Sequence, residues 1–302
     1  MINVLILGSS GQLGSQFEST KKINFIKFNK HKCDINNYNL LKKTLKKFKL
    51  NFIINCAAFT NVDLAEKKNL LDCYNVNVNG IFNIIECIKK TKIKLIHIST
   101  DYVFNGEKES YYSEDDFCDP INVYGRSKFF AEKIIINSSI VNRAVILRTS
   151  WVYSDRLNSF VGKILTNLFK NKKIRVADDN YGTPTSVINI VESIKSIILN
   201  KKYYPGTYNI VDGIKISRYQ FAKRIFSYLK YYKFNIQNFG LSPTSLRKIK
   251  RTYAQRPLNT ALKMKKFFNY YNLKLNNFEF CLSKAVKSCI LNNSKYFKIK
   301  RL

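Results

Sequence analysis

The stretch Val4-Leu-Ile-Leu-Gly8-Ser-Ser-Gly11-Gln-Leu-Gly14 decides the fold. Its first four residues are a short, wholly apolar run, as expected of a parallel strand buried on both faces. The glycines follow at once with the spacing Gly8-x-x-Gly11-x-x-Gly14, and a helix is expected after them. A tight turn at that point needs residues tolerant of positive φ, and close approach of a pyrophosphate needs a missing side chain. Amides at the N-terminus of the following helix would face the phosphates. Alone, the spacing could mark a structural turn. Its place between strand and helix favours a dinucleotide site.

Outward from this loop, strands are expected at Ile23–Phe28, Phe52–Asn55, Leu95–Ile98 and Ala144–Leu147. Helices are expected over Asn36–Phe48, Leu70–Lys90 and Asn122–Ile136. Strand and helix alternate, which implies an α/β fold of Rossmann type: a doubly wound parallel sheet with right-handed crossovers. Beyond Trp151 the regularity weakens, although Val187–Leu199, Thr207–Val211 and Arg218–Tyr231 still read as helix, strand and helix. Residues 1–150 are therefore assigned to an NAD(P)-binding core that residues 187–232 or so complete. The segments near 151–186 and 235–302, with Pro184, Pro243 and Pro257, are assigned to a smaller C-terminal substrate-binding lobe.

Bulk composition sets outer limits. A length of 302 residues suits one large and one smaller domain, and 45% hydrophobic with 24% charged residues is globular. No apolar run reaches the roughly 18 residues of a membrane span. The first residues lack the basic start and small-residue cleavage site of a signal peptide, so a cytoplasmic protein without membrane association is expected. Seven scattered cysteines, no C-x-x-C pair and two histidines argue against a disulfide framework or a zinc site, and no metal is expected. The formal net charge is +32, which could mean a nucleic-acid binder. Lys far exceeds Arg and is spread along the whole chain, whereas sequence-specific readers favour Arg for bidentate contacts. The charge is read as a solvated basic surface that attracts anionic cofactors, with no nucleic-acid partner.

Two further motifs carry chemistry. In Tyr124-Gly-Arg-Ser-Lys128, residues four apart share a helix face. The Lys128 ammonium would lie near the Tyr124 phenol, lower its pKa and hydrogen-bond a cofactor ribose. Such a phenol can give a proton to a ketone oxygen as hydride arrives at carbon. Y-x-x-x-K arises by chance in a chain this rich in both residues, so context decides. That context is Ile96-His-Ile-Ser99-Thr100-Asp-Tyr-Val-Phe104, where hydroxyls sit at the carboxyl edge of a strand. Ligands bind at that edge in open α/β sheets, although simple capping also explains a Ser-Thr pair. Either Ser99 or Thr100 can complete a hydroxyl–Tyr–Lys constellation.

These residues resemble the extended short-chain dehydrogenase/reductases, and within them the dTDP-4-dehydrorhamnose reductase family. The resembling segments are GSSGQLG (8–14), INCAAFTNVDLAE (54–66), STDYVFNG (99–106), YGRSK (124–128), LRTSWVYS (147–154), DNYGTPTS (179–186) and AQRP (254–257), in family order. The resemblance implies reduction of the 4-keto group of dTDP-4-dehydro-L-rhamnose to dTDP-L-rhamnose, with a dTDP-sugar as partner molecule. Carried over, Gly8, Gly11, Gln12 and Leu13 would hold the pyrophosphate, and Asp34 and Ile35 would border the adenine. Ala57, Ala58 and Thr60 would line the cofactor channel. Thr100 would hold the substrate carbonyl, Tyr124 would donate the proton, and Lys128 would serve Tyr124 and the ribose. Trp151, the only tryptophan, would stand beside the substrate; a core aromatic is the plain alternative. Arg256 looks like the pyrophosphate clamp, its guanidinium acting as a planar fork.

Two departures from the family pattern matter. An acidic residue at the end of the second strand would select NAD, but Phe28-Asn-Lys-His-Lys32 stands there. This favours NADPH and leaves NADH open. Where some relatives carry a magnesium-linked Glu early in the first helix, this chain has Gln16, so no magnesium is expected through it and a homodimer is left open. Competing readings are a nucleotide-sugar epimerase or dehydratase on the same scaffold, and a non-catalytic regulatory subunit such as the partner of methionine adenosyltransferase. Thr100, Tyr124 and Lys128 are all present, which favours the reductase.

Overall fold

The computed structural model describes residues 1–232, 234, 240–249, 253–271 and 273–297. Residues 235–239, 250–252, 272 and 298–302 of the expected lobe lie outside the described residues. Six strands, β1 (Ile2–Leu7), β2 (Ile23–Phe28), β3 (Phe52–Asn55), β4 (Lys94–Thr100), β5 (Ala144–Thr149) and β6 (Gly206–Ile210), form one sheet. Its order is β6-β5-β4-β3-β1-β2, and every pairing is parallel. The apolar runs explain the central strands: all four residues of β3 and all six of β5 are buried, as sheets covered on both faces require. The chain leaves β1 outward to β2 and then crosses back to β3, so the strand order reverses between β1 and β3. A ligand crevice belongs above their carboxyl ends.

Helices cover both faces. On one side, α1 (Tyr38–Lys46), α4 (Gly80–Ile88) and α5 (Val123–Ile136) pack Leu41, Leu45, Ile81, Ile84, Ile88, Ala131 and Ile135 on the sheet. On the other side lie α7 (Val187–Leu199), with Ile190, Ile194 and Ile197, and α9 (Lys266–Tyr271), with Phe267. A second apolar cluster joins α6 (Phe160–Phe169), α8 (Arg218–Tyr231) and α10 (Phe278–Asn292) to Tyr153 and Val176. Val176 belongs to the short parallel pair Ile174–Ala177 and Leu241–Thr244.

Three features depart from the sequence reading. The helix expected after the glycine loop is one 3-10 turn, Gly14–Gln16. Only six residues, 17–22, separate Gly14–Gln16 from Ile23, and their hydroxyls bond elsewhere. Ser19 Oγ accepts from Phe25 N at 2.9 Å and Thr20 Oγ1 from Ile23 N at 3.1 Å, so hydroxyls compete with the helical ladder. Phe17 is buried there in the cluster that α7 also joins. The helical stretch from Leu70 contains a π-turn at Asn75–Asn79 between α3 (Leu70–Tyr74) and α4. The unexpected α2 (Val62–Lys67) is capped by Asn61, whose side chain accepts from Leu64 N.

Candidate active site

A cavity of about 430 Å³ opens at the carboxyl ends of the central strands. The glycine loop supplies one wall through Gly11, Gln12 and Leu13, and the loop after β3 supplies Ala58 and Thr60. Thr100, Tyr124, Lys128, Trp151 and Arg218 line the remainder. A larger opening of about 790 Å³ around Val211, Met264 and Phe268 contains none of these groups, so size does not mark the site.

The loop geometry depends on its glycines. Gly8 has φ +79°, and a Cβ there would lie 2.5 Å from Ala57 N. At Gly14 a Cβ would come within 2.4 Å of Gly8 O. These two glycines let the loop fold on itself and press against Ala57. The Gly11 amide donates to Gly8 O at 3.1 Å. The Gln12 side chain donates to Val152 O at 2.8 Å, fastening the loop to the segment after β5. Asp34 and Ile35 lie beyond β2, with Ile35 buried against Gly80 and the Asp34 carboxylate accepting from Asn36 N at 2.9 Å. Neither lines the 430 Å³ cavity.

The two hydroxyls ending β4 are separated in role. Ser99 Oγ donates to Glu132 Oε1 at 2.5 Å, on the α5 side of the strand. Thr100 accepts from Tyr102 N at 3.2 Å and hydrogen-bonds the Tyr124 hydroxyl. Next to it, buried Asp101 accepts from Thr100, Ser150 and Thr260. Burial pushes the Asp101 carboxyl above the usual carboxylate range, against those hydrogen bonds and the nearby Arg218.

Tyr124 is on the first turn of α5, which Asn122 caps by accepting from Gly125 N at 2.8 Å. A Cβ at Gly125 would lie 2.2 Å from Tyr102 O, so glycine at this position lets α5 sit on the Asp101–Val103 turn. Burial pushes the Tyr124 phenol above its ordinary pKa, Thr100 opposes this, and Asp101 adds to it. Lys128 shares the cavity, yet its Nζ is 2.7 Å from Ile98 O and 3.0 Å from His97 Nε2. Asn55 Nδ2 reaches the other nitrogen of the same ring at 3.2 Å. Burial lowers the Lys128 pKa to about 8, partly offset by Glu132. Burial outweighs the expected electrostatic lowering of the Tyr124 pKa, with the ammonium directed at a carbonyl and an imidazole. Both flanking groups, His97 and Asn55, went unread in the sequence because they look like ordinary strand positions.

Trp151 is 8% exposed and has a φ of +46°, a conformation costly for a bulky residue. Its indole edge abuts Gly182, where a Cβ would lie 2.5 Å from Trp151 Cε2. Arg218 stacks on the ring, its Cζ 3.6 Å from the centroid. Arg256 stands outside this cavity, on the wall of a neighbouring one of about 600 Å³. Its fork already holds Asp63, with Nη1–Oδ1 at 3.0 Å and Nη2–Oδ2 at 2.6 Å. No sequence signal joins partners so far apart. Among the described residues, no group of His, Cys, Asp and Glu side chains is arranged to hold a metal ion. Nor is any helix among them long and apolar enough to cross a membrane.

Residues 2–290 match the family described as the RmlD substrate binding domain. A dTDP-4-dehydrorhamnose reductase of Aggregatibacter actinomycetemcomitans is 31% identical over 92% of this chain and 96% of its own length. The reductase of Salmonella typhimurium is 30% identical over 92% of this chain and 95% of that protein. A crystal structure of the Bacillus anthracis dTDP-4-dehydrorhamnose reductase in complex with NADP is also similar. It superposes with a TM-score of 0.84 at 29% identity, covering 96% of this chain and 99% of that one. The agreement extends from the glycine loop through the strand-edge hydroxyls to the last helix, and the chain belongs to the dTDP-4-dehydrorhamnose reductase family.

Proposed function

We propose that the chain uses NADPH to reduce the 4-keto group of dTDP-4-dehydro-L-rhamnose, giving dTDP-L-rhamnose. The observation that carries this reading is one cavity shared by the glycine loop and by Thr100, Tyr124 and Lys128. The printed activities of the relatives name the substrate, and NADP in the Bacillus anthracis enzyme supports the cofactor. The loop residues fit a dinucleotide: Gly8 at positive φ removes a side chain where a pyrophosphate would approach, with Gly11, Gln12 and Leu13 beside it. Asp34 and Ile35 border the adenine, and Ala57, Ala58 and Thr60 flank the channel. NADPH, when bound, supplies the hydride.

The chain's own groups do the rest. Thr100 and Tyr124 hold the substrate carbonyl between them. The phenol, kept protonated by burial, gives its proton to the oxygen as charge develops there. Lys128, fixed by Ile98 O and His97, supports the resulting phenolate and meets the ribose. Trp151 forms the wall behind the sugar. The core through residue 150 binds the cofactor, while α7 and β6 complete its sheet. The cluster of α6, α8 and α10 forms the smaller lobe beside the substrate.

The reading is tested by following NADPH oxidation optically, with substrate made by a dTDP-glucose dehydratase–epimerase pair. Oxidation that requires the keto-sugar supports it; NADPH left intact with that substrate contradicts it.

Two conditions should modulate the rate. The Lys128 ammonium exists below a pKa of about 8 and is lost as pH rises through that value. Cofactor binding and turnover should weaken across that interval in a pH profile, and a flat profile from pH 7 to about 9.5 would remove the ammonium from the account. Exposed Lys30 and Lys32 follow β2, so NADPH should bind at least as tightly as NADH at low salt. That advantage should shrink as salt screens the contacts, and titrations at two ionic strengths read it directly.

A further inference from the structure

Several buried or half-buried arginines of this protein are neutralised by carboxylates. Arg148 pairs with Glu132, Arg224 with Glu279 and Arg256 with Asp63. Arg218 differs. Among the described residues no carboxylate lies within ion-pair distance of it, although it lines the cavity of Thr100 and Tyr124. Burial lowers its pKa to about 10. The carboxylate whose charge it senses is Asp101, whose oxygens already accept from Ser150, Thr260 and Thr100.

Its setting is rigid. The guanidinium carbon sits 3.6 Å from the centre of the Trp151 ring, and that ring is itself fixed by its backbone and by Gly182. Stacking occupies the face of the guanidinium and leaves its edge donors, five N–H groups in all, for in-plane partners. The Tyr102 phenol acts on this guanidinium and on that of Arg256 as well. Two guanidinium groups thus meet at a single phenol. Arg218 faces the cavity of Tyr124, and Arg256 faces the adjoining cavity of about 600 Å³. A half-buried cation with donors left over is costly unless an anion completes it.

We infer that Arg218 is a substrate-binding residue, contacting the diphosphate of the sugar nucleotide where it passes Tyr102 between the two cavities. This rests on the sugar-nucleotide reading above and adds a contact that reading does not contain. The sugar occupies the Thr100–Tyr124 end, the nucleoside extends toward Arg256, and the charged linkage lies where the two guanidinium groups converge. Arg256 approaches it with its fork on Asp63, so the freer donor set belongs to Arg218.

The test is calorimetric titration of the intact protein with dTDP, dTMP and thymidine, in wild type, R218M and R218K, with NADPH binding as the control for folding. R218M should weaken dTDP binding about 10- to 100-fold, the usual effect of losing a charged hydrogen-bond partner. It should leave thymidine and NADPH affinities unchanged. R218K keeps the charge without the fork and should fall between them; it carries the test alone if R218M does not fold. Equal dTDP affinity in wild type and both variants overturns the inference while leaving the proposed reaction intact. An equal loss for thymidine and dTDP also overturns it, because Arg218 would then only support the shape of the pocket. A wild-type protein that binds no dTDP sinks the sugar-nucleotide reading and this contact with it.

Discussion

Tyr124→Phe should fold normally and bind NADPH with unchanged affinity, yet lose about 10²–10⁴-fold in turnover, the range for removing a positioned acid. The hydroxyl is the only atom removed, and its partner in the structure is Thr100. The helix cap at Asn122 and the Gly125 contact with Tyr102 do not involve it. A phenol pushed upward by burial is protonated throughout the neutral range and is a donor there. Comparison of single-turnover rates at saturating NADPH checks this. Near-normal turnover in the variant would remove Tyr124 from proton transfer.

Glu132→Gln should lower stability by about 3–5 kcal/mol, the usual cost of breaking a buried ion pair from one side. Arg148 and Glu132 have side chains exposed only 6% and 1%, and the guanidinium donates to both carboxylate oxygens at 2.7 to 3.2 Å. Glutamine keeps the shape and removes the charge, leaving Arg148 buried without its anion. Ser99 donates to the same carboxylate, so the loss should also loosen the end of β4. Urea unfolding measures the effect, and a variant within about 1 kcal/mol of wild type would show that water or another group compensates the arginine.

Sequence legibility followed burial. β2 and β3 occupy the expected spans Ile23–Phe28 and Phe52–Asn55, because short apolar runs between polar turns admit few other conformations. α7 and α8 likewise match Val187–Leu199 and Arg218–Tyr231, with Ser186 and Ser217 capping them. α10 was legible and went unread: Phe278, Cys281, Leu282, Ala285, Val286, Cys289 and Ile290 recur at helical spacing behind the cap Asn277. The missing helix after the glycine loop was not legible, since its loss depends on hydroxyls bonding forward to β2.

At the site, motifs named the residues but not their partners. Thr100, Tyr124, Lys128 and Trp151 meet in one cavity as their motifs suggested. The Arg256–Asp63 pair links positions 193 residues apart, and the approach of Lys128 to His97 depends on the register between β4 and α5. Arg218 stands at the start of a helix with no motif around it. Only the folded chain places it on Trp151.

The central claim is that Tyr124 and its neighbours direct hydride to C4 of a dTDP-bound keto-sugar. The most direct measurement uses NADPH deuterated at the transferable position of C4 of the nicotinamide, followed by NMR of the sugar product. The account predicts deuterium at C4 of dTDP-L-rhamnose in step with NADP⁺ formation, and none in the Tyr124→Phe reaction over the same interval. Deuterium at another sugar carbon, or NADP⁺ formed without labelled sugar, would contradict it.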